Sequence, residues 1–230
     1  MANTMLKSFS KQYFETTAWS TSHYVLGIDE AGRGCLAGPV VVGAVILPLH
    51  TSYPLLKDSK IMSAKERDEA YAWITANCWW TTALADHILI DRINIYQATR
   101  HSMHEAYWQL YQNFPQAKEL LQYVVVDAVP VQPPPEQRHP TLSFHSFNYG
   151  ETISTSIAAA SIVAKVSRDR LMAELDQVYP GYHFARHKGY ATPEHIKALQ
   201  QLGSSPIHRL TFIKNFVATH EQSQQTSLFC

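Results

Sequence analysis

Short apolar runs along this chain alternate with segments of helical periodicity. Runs rich in β-branched residues, each bounded by turn-forming or charged residues, are typical of strands. They predict strands over residues 24–29, 40–47, 78–85, 122–127 and 141–147. Because strands come first and helical segments dominate later, the pattern favours an α/β class with a helical C-terminal part.

Capping residues and small side chains mark the helices. Ser63 and Glu66 form a capping box. Thr192-Pro193 starts another helix, which ends at Gly203. The long helical pattern over residues 152–178 has a face of small residues, which allows another element to pack closely against it. Its alanines are Ala158, Ala159, Ala160 and Ala164. These signals predict helices over residues 63–77, 94–114, 152–178 and 192–203.

Composition is that of a globular protein. The 230 residues are 46% hydrophobic and 17% charged, which disfavours disorder. No apolar run approaches the ~18 residues that span a bilayer, and the N-terminus lacks the apolar region of a signal peptide, so we expect a cytoplasmic protein that does not enter membranes. The three cysteines form no Cys-x-x-Cys pair, which disfavours a structural zinc site.

The net charge is zero, but it is unevenly distributed. Residues 1–159 carry 11 basic and 14 acidic side chains, whereas residues 160–215 carry 8 basic and 4 acidic ones. An acidic metal site in one part and a basic surface in another would suit a polyanion held over cations. Chance asymmetry of an ordinary surface explains the same numbers equally well.

The first strand runs directly into two adjacent acids, Asp29 and Glu30, and then into the turn Gly32-Arg33-Gly34. Carboxylate oxygens suit hard divalent cations, whereas unpaired buried charges destabilise a core. Glycines beside an arginine expose backbone N–H groups and allow a ligand to approach the chain closely. The combination indicates chemistry on a phosphate.

Two further acids complete a candidate cluster. Asp127 ends the strand over residues 122–127, and Asp169 lies one helical turn after Lys165. If the two acid-bearing strands are parallel neighbours, their acids meet at one sheet edge, where two divalent ions ~3.5–4 Å apart would neutralise them. The ordinary alternatives are a turn residue at Asp127 and a surface ion pair at Asp169. Adjacent strand residues face opposite ways, so the chain should bend or end at Glu30.

Several motifs in one order resemble ribonuclease HII over roughly residues 24–215. They are Asp29 to Gly34 with Gly38-Pro39-Val40, Asp58-Ser59-Lys60, Asp127, Ile157 to Asp169, and His187-Lys188-Gly189-Tyr190. The resemblance implies an α/β ribonuclease H-like fold: a central mixed β-sheet flanked by helices, with a helical C-terminal region.

The resemblance also implies a function. A family member is a metal-dependent endoribonuclease that cleaves the RNA strand of RNA/DNA hybrids and nicks duplex DNA 5′ to single ribonucleotides. It uses one or two Mn²⁺ or Mg²⁺ ions, leaves 3′-OH and 5′-phosphate ends, and serves ribonucleotide excision repair and RNA primer removal. We expect a monomer.

Residue roles follow from the matched motif positions. The implied catalytic and metal-binding tetrad is Asp29, Glu30, Asp127 and Asp169. The implied substrate-binding residues are Gly32, Arg33 and Gly34 at the 2′-OH, Tyr190 on the neighbouring deoxyribose, and Lys60, Ser161 and Lys165. Glu151 and Ala128 stand where the family usually has Asp and Gly, and the Pro-rich segment 130–140 has no assigned function.

The sequence also divides the chain. We expect an N-terminal extension over residues 1–22, a catalytic domain over 23–217 and a flexible polar tail over 218–230. The tail contains Gln225-Thr226-Ser227-Leu228-Phe229, which resembles the bacterial sliding-clamp binding pentapeptide. Gln225, Leu228 and Phe229 would bind the clamp, although such short motifs also arise by chance.

Two other functions stay open at this level. One is a related nuclease, such as a resolvase or transposase core, which would have no use for a 2′-OH reader. The other is a module that binds hybrids without cutting them, which would tolerate a broken tetrad. All four acids are present here, and only about 23 residues precede the first strand, which disfavours ribonuclease HIII with its additional N-terminal domain.

Overall fold

The five strands that the apolar runs predict form one mixed sheet, as the family resemblance implies. The computed structural model describes residues 12–217, and the strand order across its sheet is β3-β2-β1-β4-β5. β1, β2 and β3 are antiparallel neighbours, whereas β4 runs parallel to both β1 and β5. The bounds are β1 (Tyr24–Ala31), β2 (Val40–Ile46), β3 (Trp79–Ala85), β4 (Leu121–Asp127) and β5 (Ser143–Phe147).

Helices surround the sheet and fill the C-terminal part. The Ser63 hydroxyl accepts from the Glu66 N–H and Thr192 caps the His195 N–H, so both predicted helix starts are confirmed. Residues 210–217 are also helical. The other bounds are α1 (Tyr13–Trp19), α2 (Ala64–Asn77), α3 (His87–Ile93), α4 (Ile95–Asn113), α5 (Thr155–Val178), α6 (Phe184–His187) and α7 (Pro193–Leu202).

One helix was not predicted, and one predicted helix start needs correction. The pattern over residues 94–114 belongs to α4, but a separate helix, α3, precedes it and was not predicted. Asn94 separates them with a φ of 67°, and its side chain caps the Gln97 N–H at the start of α4. The helix predicted from residue 152 begins at Thr155, because Gly150–Thr152 form a 3₁₀ turn. Asn tolerates positive φ better than most residues, which explains the break at residue 94.

The sheet is buried on both faces. On one face, Leu26 and Ile28 of β1 pack in a cluster with Met103 and Tyr107 of α4. On the other face α5 covers the sheet, with Ile157 packed against Val25. Alternate residues of β1 therefore point to different helices, as the two-residue repeat of a strand requires.

Glycines allow α5 to lie directly on the sheet. A Cβ at Gly27 of β1 would lie 2.1 Å from the Ser156 carbonyl carbon, and one at Gly43 of β2 would lie 2.4 Å from the Ala160 carbonyl oxygen. Helix backbone therefore contacts strand backbone without an intervening side chain. This confirms the close packing that the small residues of α5 predict, and it places the middle of α5 beside the end of β1.

Residues 13–19, which the sequence assigns to an extension, pack on this body. Phe14 and Ala18 of α1 share an apolar cluster with Val25 and Ile157. The buried carboxylate of Glu15 accepts hydrogen bonds from the Ser154 hydroxyl at 2.6 Å and from the backbone at the start of α5. Across residues 12–217, no helix has the length and apolar character needed to cross a bilayer.

Two buried histidines join the C-terminal segments. His195 Nδ1 donates to the Tyr190 carbonyl oxygen at 2.9 Å, which leaves His195 Nε2 to accept from His208 Nε2 at 3.0 Å. His208 Nδ1 then accepts from the Ser205 N–H and hydroxyl. Every ring nitrogen in this series of hydrogen bonds has a partner when both rings are neutral. Burial is the main cause that lowers the pKa of each ring to about 4.

These histidines predict an acid-sensitive fold. Between about pH 6.5 and 4, these histidines bind protons in the unfolded chain but stay neutral in the folded protein. Stability therefore falls as pH decreases. Between pH 6.5 and 5 we expect a loss on the order of 2 kcal/mol of unfolding free energy per histidine. Urea unfolding of wild type and His208→Asn at about pH 7.5 and 5 measures it.

His208→Asn serves as the reference for the wild type. Buried carboxylates with raised pKa values increase stability as pH falls, which opposes the effect of the histidines, and they do so equally in both proteins. His208→Asn should be less stable at neutral pH but should lose less stability on acidification. An equal loss in the two proteins would show that His208 is not held neutral.

Candidate active site

Three carboxylates meet at one edge of the sheet. Ile28 of β1 pairs with Val126 of β4, so the residues that follow, Asp29 and Asp127, emerge side by side. Asp29, Glu30 and Asp127 line a single cavity of about 440 Å³. Of the two alternatives expected at Glu30, a bend or an end of the strand, the end is excluded, because β1 pairs with β2 as far as Ala31. Pairing with β4 does stop at Ile28, which opens the edge where both acids reach the cavity.

Asp29 is the most enclosed of these acids, with 5% of its surface exposed. Its Oδ1 accepts from the Glu30 N–H at 2.7 Å, and the Ser161 hydroxyl also bonds to it. Ser161 in turn shares a 2.7 Å hydrogen bond with Ser59. Burial, followed by repulsion from Glu30 and Asp127, raises the pKa of Asp29 well above its ordinary value. Ser161 therefore supports Asp29 from α5 as well as lining the cavity.

Glu30 has one satisfied and one orphaned oxygen. Its Oε1 pairs with Arg33 Nη1 at 3.3 Å, whereas Oε2 is buried and has no hydrogen-bond partner within residues 12–217. Burial raises the pKa of Glu30, Asp127 raises it further, and Arg33 opposes both. A buried carboxylate oxygen without a donor is destabilising unless something positive binds it.

Asp127 has a fifth acid as its neighbour. Its Oδ1 accepts from the Gly150 N–H at 2.9 Å. Glu151 follows Gly150, is 7% exposed, and has an Oε2 atom that finds no partner in the described part of the chain. Burial, and then Asp127, raises the pKa of Glu151. In the sequence, Glu151 is only a departure from the family motif; the structure places it beside the acidic cluster.

Lys60 balances part of this negative charge. Burial alone would lower its pKa, but the carboxylates of Glu151, Asp29, Asp58 and Asp127 outweigh burial and raise it. Lys60 lines the same cavity as Asp29. The residue is thus a cation at the rim of an acidic cavity, where it can meet a phosphate.

Asp169 stands slightly apart from the other acids. Its Oδ1 pairs with Lys165 Nζ at 2.9 Å on α5, the ion pair that the ordinary reading of the sequence expects. Asp169 lines a neighbouring cleft of about 480 Å³, whereas Lys165 and Arg67 line both that cleft and the acidic cavity. Lys165 therefore links Asp169 to the other three acids.

The donor atoms fit a divalent cation. Within residues 12–217, no three His, Cys, Asp or Glu side chains are already grouped as ligands of one ion. Like charges repel one another, and burial together with repulsion from Glu30 and Asp127 raises the pKa of Asp29. Hard carboxylate oxygens, one of them orphaned at Glu30, are the ligands that Mg²⁺ and Mn²⁺ prefer.

The glycine turn forms one wall of the cavity. Gly32 has a φ of +97°, and a Cβ there would lie 2.0 Å from Nε of the buried Arg168. Gly34 is the opposite case, because no heavy atom of residues 12–217 would lie within 4 Å of its added Cβ. The first glycine is required by packing, whereas the second leaves open space in front of the turn.

Tyr190 lines the same cavity as that turn. Its ring is 40% exposed, with Lys165 Nζ 5.7 Å and Arg168 Cζ 5.8 Å from the ring centroid. Burial raises the pKa of the hydroxyl, which also shares a hydrogen bond with the Cys35 thiol. A partly exposed ring whose hydroxyl is hydrogen-bonded can stack on a sugar or base.

Three arginines around this site were not predicted from the sequence. No local pattern marks Arg67, Arg168 or Arg209, because each donates to main-chain carbonyls rather than to an acid. The carbonyls of Ser59, Pro39 and Gly38 that accept from them lie 8, 129 and 171 positions away, respectively. Arg168 lies within a family motif, but its contacts to Pro39 and Lys188 were not foreseen. The candidate clamp-binding residues Gln225, Leu228 and Phe229 lie outside the described residues.

Comparisons with known proteins agree on one family. The family model described as Ribonuclease HII matches residues 26–215. Ribonuclease HII of Geobacter sulfurreducens is 48% identical over 189 residues, which cover 82% of this chain and 81% of that protein. The ribonuclease H2 structure from Pyrococcus horikoshii matches with a TM-score of 0.68 at 22% identity, covering 85% of this chain and 98% of the other.

A third match is a structure of a complex of PCNA with RNase HII from Archaeoglobus fulgidus. It has a TM-score of 0.64 and 25% identity, and it covers 84% of this chain and 96% of that one. These matches confirm the ribonuclease H-like fold with its mixed sheet, flanking helices and C-terminal helices.

Proposed function

Because the chain belongs to the ribonuclease HII family, a family of metal-dependent endoribonucleases that hydrolyse the RNA strand of RNA/DNA hybrids, we propose that it also nicks duplex DNA 5′ to single ribonucleotides. One observation carries this proposal: the acids Asp29, Glu30 and Asp127 share a cavity with the turn Gly32–Gly34 and with Tyr190. Groups suited to phosphate chemistry and groups suited to reading a sugar therefore face the same space.

The carboxylates of Asp29, Glu30, Asp127 and Asp169 would hold one or two Mg²⁺ or Mn²⁺ ions. When bound, such ions activate a water and stabilise the charge that develops on the leaving 3′-oxygen. Gly150 fixes the direction of Asp127 through its N–H, and Ser161 fixes Asp29. The products are a 3′-OH and a 5′-phosphate.

Recognition depends on the 2′-OH, the group that distinguishes RNA from DNA. Backbone groups of Gly32, Arg33 and Gly34 would read it irrespective of base identity. Tyr190 would stack on the deoxyribose beyond the junction, since a sugar without a 2′-OH fits closely against its exposed face. Lys60 and Lys165 would contact phosphates, and Ser161 would support the site.

The broader roles follow from this chemistry. A nick beside a ribonucleotide starts ribonucleotide excision repair, and hydrolysis of hybrids removes RNA primers. We propose that the enzyme acts as a cytoplasmic monomer, with residues 23–217 as its catalytic domain, residues 1–22 as an extension and residues 218–230 as a tail.

The tail would recruit the enzyme to the sliding clamp. Gln225, Leu228 and Phe229 match the spacing of a clamp-binding peptide, and the Archaeoglobus fulgidus protein is described in complex with its clamp, PCNA. Deletion of residues 225–230 should abolish capture of the enzyme by immobilised clamp. Unchanged capture would reject this role for the tail.

Mapping of the cut tests the proposed nuclease directly. A labelled DNA duplex with one embedded ribonucleotide is incubated with the enzyme and Mg²⁺ or Mn²⁺, with excess chelator as the control. We expect one nick on the 5′ side of the ribonucleotide, with a ligatable 3′-OH end, and no nick with chelator. A cut elsewhere, or tight binding without a cut, would contradict the proposal.

Gly34→Ala separates recognition from folding. The added methyl meets no atom within 4 Å in the described structure, so stability should change by no more than about 0.5 kcal/mol. The methyl fills the space where the substrate backbone should approach the turn. We therefore expect at least about tenfold weaker binding of the ribonucleotide duplex, in line with ~1.4 kcal/mol per tenfold change.

Binding by fluorescence anisotropy in Ca²⁺ and unfolding by urea measure the two effects of Gly34→Ala. Gly32→Ala is the matched comparison and should also destabilise the protein, because its Cβ would overlap Arg168. Unaltered binding by Gly34→Ala would mean that the substrate does not approach this face of the turn.

A further inference from the structure

Arg209 is a buried cation on which one acid, Asp91, acts from beyond ion-pair distance. Its side chain is 0% exposed, and it forms no ion pair with an acid of residues 12–217. All of its side-chain hydrogen bonds go to main-chain carbonyl oxygens: Nη2 donates to Gly32 at 2.7 Å, Nη1 to Arg33 at 2.7 Å and Nε to Gly38 at 3.0 Å. The guanidinium thus spans the turn that faces the substrate cavity.

Such an arrangement needs a reason other than core stability. Removal of a charge from water is unfavourable, and an apolar side chain of similar volume often fills such a space more favourably. A planar guanidinium does what no apolar side chain can: it fixes the directions of several carbonyl groups at once. Burial lowers the pKa of Arg209 to about 10, so it stays charged at neutral pH.

The directions of these carbonyls determine what the turn presents to the cavity. In a trans peptide the C=O of one residue and the N–H of the next point in opposite directions. Since the carbonyls of Gly32 and Arg33 point at Arg209, the N–H groups of Arg33 and Gly34 point away from it. Neither N–H donates a hydrogen bond within the described chain. Two successive free N–H groups form a concave binding site for an anion or oxygen.

The segment around Arg209 also contacts the part of the chain that carries Tyr190. The Arg209 N–H donates to the Leu36 carbonyl at 2.8 Å, and the Leu36 N–H donates to the Gly189 carbonyl at 2.8 Å, next to Tyr190. His208 reaches the Tyr190 carbonyl through His195. One network of hydrogen bonds therefore connects the Gly32–Gly34 turn to the segment that carries Tyr190.

We propose that Arg209 is a positioning residue for substrate selection: it orients the Gly32–Gly34 turn so that the N–H groups of Arg33 and Gly34 meet the ribonucleotide. It touches no substrate itself. This role rests on the proposed reading of the 2′-OH by the turn. Loss of Arg209 should therefore weaken the preference for a ribonucleotide rather than abolish the phosphate chemistry of the carboxylates.

The test compares Arg209→Lys and Arg209→Met with Ile213→Ala. Lysine keeps the charge but cannot span two carbonyls in one plane, whereas methionine removes both charge and donors. Ile213 is buried beside Leu36 and Leu199 in the same region and makes none of the turn's hydrogen bonds, so its variant controls for destabilisation. Dissociation constants in Ca²⁺ and single-turnover rates in Mg²⁺ are measured at a temperature where urea unfolding shows each protein folded.

We expect both Arg209 variants to bind the ribonucleotide duplex at least tenfold more weakly, with an unchanged affinity for the all-DNA duplex. The maximal single-turnover rate should fall less than the affinity, and Ile213→Ala should retain the wild-type preference. If Arg209→Met does not fold, the preference of Arg209→Lys for the ribonucleotide duplex alone decides the test. A wild-type preference in Arg209→Lys would overturn the positioning role, whereas a wild-type protein without preference would instead reject the proposed function.

Discussion

Asp127→Asn is expected to lower the cleavage rate about a thousandfold, which corresponds to a loss of several kcal/mol of transition-state stabilisation. The amide oxygen can still accept from the Gly150 N–H, so the local hydrogen bond survives. One negative charge disappears from a cavity where Asp127 raises the pKa values of Asp29, Glu30 and Glu151. In metal-free buffer the variant should therefore be at least as stable as the wild type.

Two measurements on the same samples test whether Asp127→Asn loses activity without losing stability. Single-turnover cleavage in saturating Mg²⁺ gives the rate, and urea unfolding with chelator gives the stability. Asp86→Asn is the matched control, since Asp86 caps α3 through the Leu89 N–H and asparagine caps equally well. A fully active Asp127→Asn protein would remove Asp127 from the chemistry; a clearly destabilised one would mean that the charge of Asp127 supports the fold.

Gly27→Ala should be the most damaging small substitution in the sheet. Its Cβ would lie 2.1 Å from the Ser156 carbonyl carbon, and backbone cannot move aside as a flexible side chain can. We expect a loss of about 3 kcal/mol or more, at or above the usual range for overpacking. The shift of α5 should also reduce activity, because that helix carries Ser161, Lys165 and Asp169.

Urea unfolding of Gly27→Ala against Gly34→Ala measures this effect. Both variants add one methyl to a glycine near the cavity, but only Gly27 faces the α5 backbone. We expect the midpoint to fall strongly for Gly27→Ala and to stay near wild type for Gly34→Ala. Equal midpoints would show that α5 is not held against β1 by this contact.

The parts of the fold that the sequence predicts well are those with strong local causes. Apolar runs mark β1, β2 and β4 most clearly, because these central strands are largely buried on both faces. The capping box at Ser63 marks α2 because its two hydrogen bonds are local. The meeting of Asp29 and Asp127 follows from two strands that each end in an acid, once the strands are parallel neighbours. The break at Asn94 is less visible, because positive φ at asparagine has only a weak sequence signature.

The rest depends on contacts between distant residues. Arg209 binds the Gly32 carbonyl 177 positions away along the chain, and an arginine that donates only to carbonyls leaves no charge pattern in the sequence. Glu151 belongs with the acids only because the 3₁₀ turn before α5 brings it beside Asp127. The pairing of Asp169 with Lys165 shows the opposite case, a local contact that the helical spacing does predict.

The central claim is that one cavity both recognises a 2′-OH and cleaves the adjacent phosphodiester. The most direct measurement uses two duplexes that differ by a single 2′-oxygen, with single-turnover cleavage by the wild-type enzyme in Mg²⁺. We predict one cut beside the ribonucleotide and at least about a thousandfold slower cleavage of the all-DNA duplex, since an unpaired polar site rejects the analogue that lacks the hydroxyl. Equal cleavage of the two duplexes would contradict the claim and would group the protein with nucleases that cut DNA without reading the sugar.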